Sequence, residues 1–148
     1  MQPKKSPRVG VMETLVREIE DLAGSAEEDA ALAIRAALES ASIGQSDPLQ
    51  AEADANRAAE LLSSARRACW DGFRRQSTLL KLDSGPGPWA RASRESLERA
   101  GVALASARSL VEMVADIPEL EPPSETIAAE QRQQNLLEAM AACGRRKR

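Results

Sequence analysis

Few residues in this chain could do chemistry, because its 148 residues include no histidine and no tyrosine. General acid–base and nucleophilic catalysis need a positioned, activated side chain, which is most often a histidine. Cys69 falls on an apolar helical stripe, where a thiol behaves as a small apolar group, and Cys143 has only arginines nearby. The sequence therefore predicts no catalytic residues and a protein that is not an enzyme.

Metal, nucleotide and cofactor sites are also unexpected. The two cysteines have no metal-ligand spacing, and the acidic run at residues 27–29 falls at a predicted helix start, where carboxylates favour the helix dipole. A carboxylate di-metal bundle would need histidines on facing helices. Gly85 and Gly87 alternate with prolines and lack the lysine of a phosphate-binding loop. We expect no metal, no cofactor and no small-molecule substrate.

Arginines are the other residues with distinctive chemistry. Asp71 is four residues from both Arg67 and Arg75, which predicts surface ion pairs. Arg66 is four residues from Trp70 and can lie over its ring. The alternative is that this face contacts the phosphates of a nucleic acid.

A second basic group lies at the end of the sequence, in residues 145–148. Such a run can be a nuclear-import signal, a phosphate contact or a solvated tail, and four charges support only weak, salt-sensitive binding. The candidate nucleic-acid or import contacts are Arg66, Arg67, Arg74, Arg75, Arg145, Arg146, Lys147 and Arg148.

The elements that must position these residues are predicted to be helices. Residues 48–82 form the longest candidate, opened by Asp47 as N-cap and by a proline at the first helical position. Residues 89–115 form its partner, and the breaker at 83–88 predicts an antiparallel pair. Both carry small and apolar residues three and four apart, as in a coiled coil. Because these stripes are rich in alanine, we expect other helices or other chains to cover them.

The amino-terminal part is predicted to add a short helical pair. Residues 1–8 carry three basic residues and two prolines, which predicts a flexible basic arm. An amphipathic helix begins at Val9 and stops at Gly24, and Ser25 and Glu28 then have the spacing of a capping box before a second helix. The alternative is one bent helix, because a capping box can also follow a kink.

The predicted organisation is a helical bundle at 9–117, a proline-rich linker at 118–123, a C-terminal helix at 124–143 and a basic tail at 144–148. The C-terminal helix carries only a thin apolar stripe, so it either docks loosely on the bundle or orders against another protein. The predicted partner-binding residues are Leu62, Phe73, Leu97, Leu104, Val111, Leu137 and Met140.

The triplet Trp70-Asp71-Gly72 resembles the Trp-x-Gly motif of a family of small secreted helical hairpins. The resemblance covers three residues, and in that family the motif forms the turn between the two helices. Here residues 73–82 continue the helical pattern, and the tyrosine-based export signal of the family is impossible without a tyrosine. We therefore treat the match as chance.

The whole sequence favours an all-α fold, in which an antiparallel hairpin of two long helices carries the short amino-terminal pair and a loosely attached C-terminal helix. Hydrophobic residues make up 43% of the chain, but with only one Phe and two Trp the apolar content is mostly aliphatic, which favours helix over sheet. Two cysteines and the lack of a membrane-length apolar run predict a soluble, intracellular protein, cytoplasmic or nuclear in a eukaryote.

The leading functional hypothesis is a non-enzymatic helical interaction protein, a subunit or adaptor of a larger multiprotein assembly. The alternative is a small nucleic-acid-associated protein that uses its basic ends and the Arg66 to Arg75 face. The first half of the long helix is acidic and the second half basic. This polarity predicts either an antiparallel homodimer or acidic amino-terminal helices packed near residues 66–75.

Overall fold

The computed structural model describes residues 7–83, residues 87–118 and the single positions 120, 122, 128, 131, 134, 135 and 138. Across this part of the chain the secondary structure is three helices and no strand: α1 (Pro7–Ile43), α2 (Pro48–Asp83) and α3 (Pro88–Val111). The prediction of an all-α helical bundle is confirmed. No helix among these residues combines the length and the apolar character needed to cross a membrane.

The starts of α2 and α3 follow the signals in the sequence. Asp47 caps α2, because its Oδ1 accepts a hydrogen bond from the Gln50 N–H at 3.2 Å, and Pro48 takes the first helical position. Gly87 precedes Pro88 in α3 and has no side chain to cap with. Asp83 supplies the missing acceptor from the end of α2, since its Oδ2 accepts from the Ala90 N–H at 3.3 Å.

The predicted amino-terminal pair of short helices is wrong, because α1 is one helix of 37 residues without a turn at Gly24. A glycine inside a helix costs only about 1 kcal/mol relative to alanine. Ala23 and Ala26, on either side of Gly24 and Ser25, are both buried in the same core cluster. Burial of a continuous stripe therefore outweighs the local stop signal. The helix also begins at Pro7, two residues before the predicted start at Val9.

The most extensive contact in the bundle is between α1 and α2, and α1 also packs against α3. The contact between α2 and α3, which the sequence suggested as the central pair, is the least extensive of the three. The core is built mainly from alanines, with larger side chains such as Ile19, Leu62 and Leu79 at intervals. Small residues let helices approach closely but bury little apolar area each.

Polar contacts fix the direction of α1 against α2. Arg75 Nε donates to Glu18 Oε2 at 2.8 Å near one end, and Ser40 Oγ donates to the Ala51 carbonyl at 2.6 Å near the other. Because the residue numbers rise along one helix as they fall along the other, the two helices run antiparallel. The acidic first helix is thus packed beside the basic half of α2, as one of the two arrangements predicted from charge.

The chain after α3 folds back onto the bundle. Helix α3 ends at Val111 rather than at residue 115, and residues 112–114 form a turn. Val114, Ala115 and Ile117 are partly buried against the main core cluster. The residues that follow α3 therefore cover part of the main core cluster. The predicted basic tail, most of the arm at residues 1–8 and most of the C-terminal helix lie outside the described residues.

Candidate functional site

A groove of about 190 Å³ lies between α2 and α3, and all of the described residues that line it belong to these two helices. Its apolar part is formed by large side chains, and its rim carries two arginines. The groove-lining residues from α2 are Leu62, Arg66, Cys69, Trp70 and Phe73, and those from α3 are Leu104, Ala105 and Arg108. No residue of α1 reaches it, so this surface is separate from the main α1–α2 contact.

Beside the groove, Gly72 allows α2 to lie close to α3. Gly72 is buried, and a Cβ placed on it would come within 2.7 Å of Leu97 Cδ2 on α3. The α2–α3 contact as a whole is the least extensive in the bundle. Trp70 and Phe73 flank Gly72, are only half-buried and line the opening.

The rim carries two arginines, and each is held in place by contacts within the chain. Arg66 lies over the ring of Trp70, 5.4 Å from the ring centroid, as the sequence predicted. The Nη2 of Arg66 also donates to the Leu120 carbonyl at 3.0 Å. Arg108 Nε donates to Glu112 Oε1 at 2.6 Å. A ligand in this groove would meet an apolar floor and guanidinium groups at the edge.

The predicted partner-binding residues divide into three groups. Leu62, Leu97 and Val111 are at most 1% exposed and belong to the chain's own core, although Leu62 also forms part of the groove floor. The side chains of Leu97 and Val111 are already buried within the chain, so they are not available to contact a partner protein. Phe73 and Leu104 are half-buried and line the groove together. Leu137 and Met140 lie outside the described residues.

The predicted arginine face is only partly assembled. Arg67 and Arg74 are exposed on α2, whereas Arg75 is paired with Glu18 of α1 instead of with the Asp71 carboxylate. Arg75 does contact Asp71, but Nη1 donates to its backbone carbonyl at 3.3 Å. Arg67 and Asp71 form no ion pair in the part of the chain that is described, so the predicted pairs of Asp71 are wrong. For Arg75, the Glu18 carboxylate on α1 takes the place of the Asp71 carboxylate on its own helix.

The remaining candidate contacts, at residues 145–148, lie outside the described part of the chain. Arg108 and Ala105 line the groove but escaped the prediction. The signal for Arg108 was present, since it stands four residues after Leu104 and therefore on the same side of a helix. No sequence signal indicates Ala105, because an exposed alanine cannot be distinguished from other surface residues by its type or spacing.

The described residues that line the groove offer apolar area beside guanidinium groups. Among them, Cys69 is the one nucleophilic side chain; it is buried, and the residues around it are apolar or cationic. No cluster of three acidic or cysteine side chains that could hold a metal ion occurs among the described residues.

No protein-family model, curated protein or solved structure matches the chain.

Proposed function

We propose that the protein is a non-enzymatic helical interaction protein, a subunit or adaptor of a larger assembly, that binds a helical segment of another protein in the α2–α3 groove. The observation that carries the proposal is the groove itself. Trp70, Phe73 and Leu104 are large apolar side chains that the three helices leave half-buried. A helix laid between α2 and α3 would complete their burial, as in other helix-in-groove complexes.

The residue types of the groove support the proposal. Tryptophan and arginine are enriched among the residues that dominate binding energy in protein interfaces, and the groove holds Trp70 with Arg66 stacked on it. The preset position of Arg66 also reduces the entropy lost when a partner binds. The partner we infer has two or three large apolar side chains on one helical face and carboxylates beside them. We also propose that this interaction takes place inside the cell, because the two cysteines of the chain form no disulfide framework in the sequence.

The test compares proteins retained by the immobilised full chain from an extract of its source cells. Leu104→Glu places a charge in the groove, and Val102→Glu is the matched control, because Val102 is 70% exposed on the same helix and does not line the groove. We expect one or more proteins to be retained by the wild type and by Val102→Glu but lost with Leu104→Glu. Cross-linking of each such protein to position 105 would establish direct contact.

The proposal fails if the same proteins are retained by all three chains, or if none depends on the groove. Circular dichroism must show that Leu104→Glu remains helical. If that variant unfolds, Phe73→Ala serves in its place, since it removes groove area without adding a charge.

A second candidate function is weak nucleic-acid association, favoured by the exposure of Arg67 and Arg74 on α2. It uses a different chemistry, because phosphate contacts need charge and not an apolar groove. The two candidates are therefore separated by the Leu104→Glu variant, which should leave nucleic-acid binding unchanged.

A further inference from the structure

One side of α2 remains exposed and carries charges of both signs. Glu60, Arg67 and Arg74 are exposed and follow one another at intervals of seven residues, which places them on the same side of the helix. Glu52, about two turns before Glu60, is also exposed. We term this side, from Glu52 to Arg74, the outer face of α2. Among the described residues neither Glu60 nor Arg67 forms an ion pair, so both charges are available to a partner.

The central charges of the outer face are self-complementary. Glu60 and Arg67 lie at equal distances along the helix on either side of Ser63 and Ser64. If two copies of α2 run antiparallel with these serines at the crossing point, Glu60 of each copy lies opposite Arg67 of the other. A two-fold axis repeats each contact, so this one register forms the pair twice.

The outer charges agree with the same register. Glu52 then lies opposite Arg74 of the second copy, and Arg57, at one edge of the face, lies opposite Asp71. No acidic residue of α2 lies opposite an acidic one, and no basic residue lies opposite a basic one. A parallel pair in register would instead set each charge against its own copy, which is unfavourable.

The middle of the outer face is also shaped for close approach. A depression of about 550 Å³ lies there, and Glu60, Ser63, Ser64 and Arg67 are among the residues that line it. The distance between two packed helices depends on the size of the side chains at their contact, and serines are small. The depression therefore coincides with the centre about which the charges are complementary.

We propose that the outer face of α2 binds a second copy of this chain in an antiparallel pair with two-fold symmetry. A second copy is favoured over another partner because each charge of the face has its complement on the same face, in a single register. The packing of α1 against α2 does not compete with this pairing, since Glu18 of α1 uses Arg75 and not Arg67. The contact is polar, so its association is weak and salt-sensitive, and the charges select the register.

The pairing would make the protein bivalent if the proposed function is right. None of the outer-face residues that pair lines the α2–α3 groove, so each copy keeps its groove available. Two grooves in one dimer bind a partner that carries two helical segments more tightly than one groove does, through effective concentration. This consequence rests on the proposed function, whereas the pairing does not. The two can therefore fail separately.

The pairing is tested by sedimentation velocity of the full chain over a range of concentrations. We expect a monomer–dimer equilibrium that shifts toward monomer between about 0.1 M and 1 M salt, because the screening length falls from about 10 Å to about 3 Å. A chain that stays monomeric at all concentrations at the lower salt overturns the proposal. So does a dimer that is insensitive to salt.

Charge reversal identifies the residues that meet. Glu60→Arg and Arg67→Glu each place like charges opposite one another twice, so each should raise the dissociation constant by at least about tenfold. An equimolar mixture of the two variants has opposite charges at both positions, and it should form a heterodimer with about the affinity of the wild type. Glu28→Arg, on the exposed surface of α1, makes the same change in net charge and is the matched control, which should dimerise normally.

The other results of charge reversal contradict the proposal. Dimers that survive either single reversal would place the contact elsewhere, and a mixture that stays monomeric would show that these two residues do not meet. Loss of dimers with Glu28→Arg would mean that net charge alone controls association. Circular dichroism of each variant establishes that it remains helical.

Disulfide capture tests the direction of the pair and does not depend on the reversed charges. In a background with Cys69→Ala and Cys143→Ala, Ser63→Cys should lie next to its symmetry mate. Lys81→Cys should lie about 50 Å from its mate in an antiparallel pair, at 1.5 Å per residue. We expect mild oxidation to link two chains through position 63 and not through position 81, since a disulfide needs Cα atoms within about 7 Å. Capture at both positions would indicate a parallel pair, and capture at neither would indicate another surface, and either result overturns the proposal.

Discussion

Gly72 on α2 lies directly against Leu97 on α3, so closely that a Cβ on the glycine would come within 2.7 Å of Leu97 Cδ2. Leu97 is 1% exposed and cannot easily move aside. The glycine therefore permits a close contact between α2 and α3, in the middle of a helix, where glycine is otherwise unfavourable. The Trp70-Asp71-Gly72 triplet thus serves helix packing and forms no turn.

Gly72→Ala should destabilise the bundle. Overpacking in a core costs about 1–3 kcal/mol, and the ~1 kcal/mol that alanine gains in helix propensity offsets part of it, so we expect a net loss of up to about 2 kcal/mol. Gly24→Ala is the matched control, because Gly24 is exposed in α1 with nothing within 4 Å of its added Cβ, and it should stabilise by about 0.5–1 kcal/mol. Urea unfolding measures both. Equal effects of the same sign would contradict the close-packing argument.

The contrast between α1 and α2 shows how far local sequence signals extend. The Asp47-Pro48 start of α2 was readable because a cap and a proline act on the residues beside them. Gly24 and Ser25 carried an equally clear stop signal for α1, yet the helix continues. Its continuation depends on burial of Ala23 and Ala26 against other helices, and no local pattern reports that energy.

The groove was predictable only in part for the same reason. Helical spacing predicts Phe73 and Leu104 as contact residues. The spacing shows which residues share a face of a helix, but not what that face packs against. Leu97 and Val111 follow the same spacing and are buried in the core instead. The difference arises from the small α2–α3 contact, which is a property of how three helices share one core.

The isolated chain should be strongly helical but modestly stable. Most of the buried hydrophobic residues in the described part of the chain are alanines, and each contributes little apolar area to offset the conformational entropy lost on folding. We expect a demonstrated monomer to unfold at or below the ~45–65 °C usual for mesophile domains. Thermal circular dichroism is the measurement. A sharp transition well above that range would contradict the argument that a core of small side chains stabilises the fold only modestly.

The Glu18–Arg75 ion pair should guide packing more than it stabilises it. The two side chains are 45% and 38% exposed, so water screens their attraction, and such pairs contribute about 0–1 kcal/mol. A double-mutant cycle with Glu18→Gln and Arg75→Gln should give a coupling energy in that range that decreases with added salt. A coupling well above it, or one insensitive to salt, would mean that the pair is shielded from solvent.

Nucleic-acid binding, if it occurs, should be weak and lost at moderate salt, because the four basic residues at 145–148 release few counterions. Deleting residues 145–148 should abolish it, whereas Arg67→Gln with Arg74→Gln should reduce it less. Fluorescence anisotropy with a labelled oligonucleotide at several salt concentrations tests both. Binding that survives the deletion but not the double substitution would move the site to the exposed face of α2.

Gln76 is the one fully buried amide among the described residues, and neither of its side-chain polar atoms has a hydrogen-bond partner there. Since Gly72 opposes Leu97 and the chain runs in opposite directions in α2 and α3, Gln76 comes level with Ser93, which is also fully buried. The Ser93 hydroxyl donates its one proton to the Ala90 carbonyl at 2.9 Å, so it has none to donate to Gln76 Oε1. The core therefore carries an unsatisfied amide.

Gln76→Met should stabilise the bundle, because it keeps an unbranched side chain of similar length while removing the amide. A buried polar group without a partner costs about 1–3 kcal/mol, and most of that should be recovered. Gln50→Met on the exposed surface of the same helix is the control and should change the free energy of unfolding by less than about 0.5 kcal/mol. Urea unfolding at constant m-value gives both numbers. Destabilisation by Gln76→Met would mean that the amide is hydrogen-bonded in solution, with the neighbouring serines or with a buried water as the partners to examine.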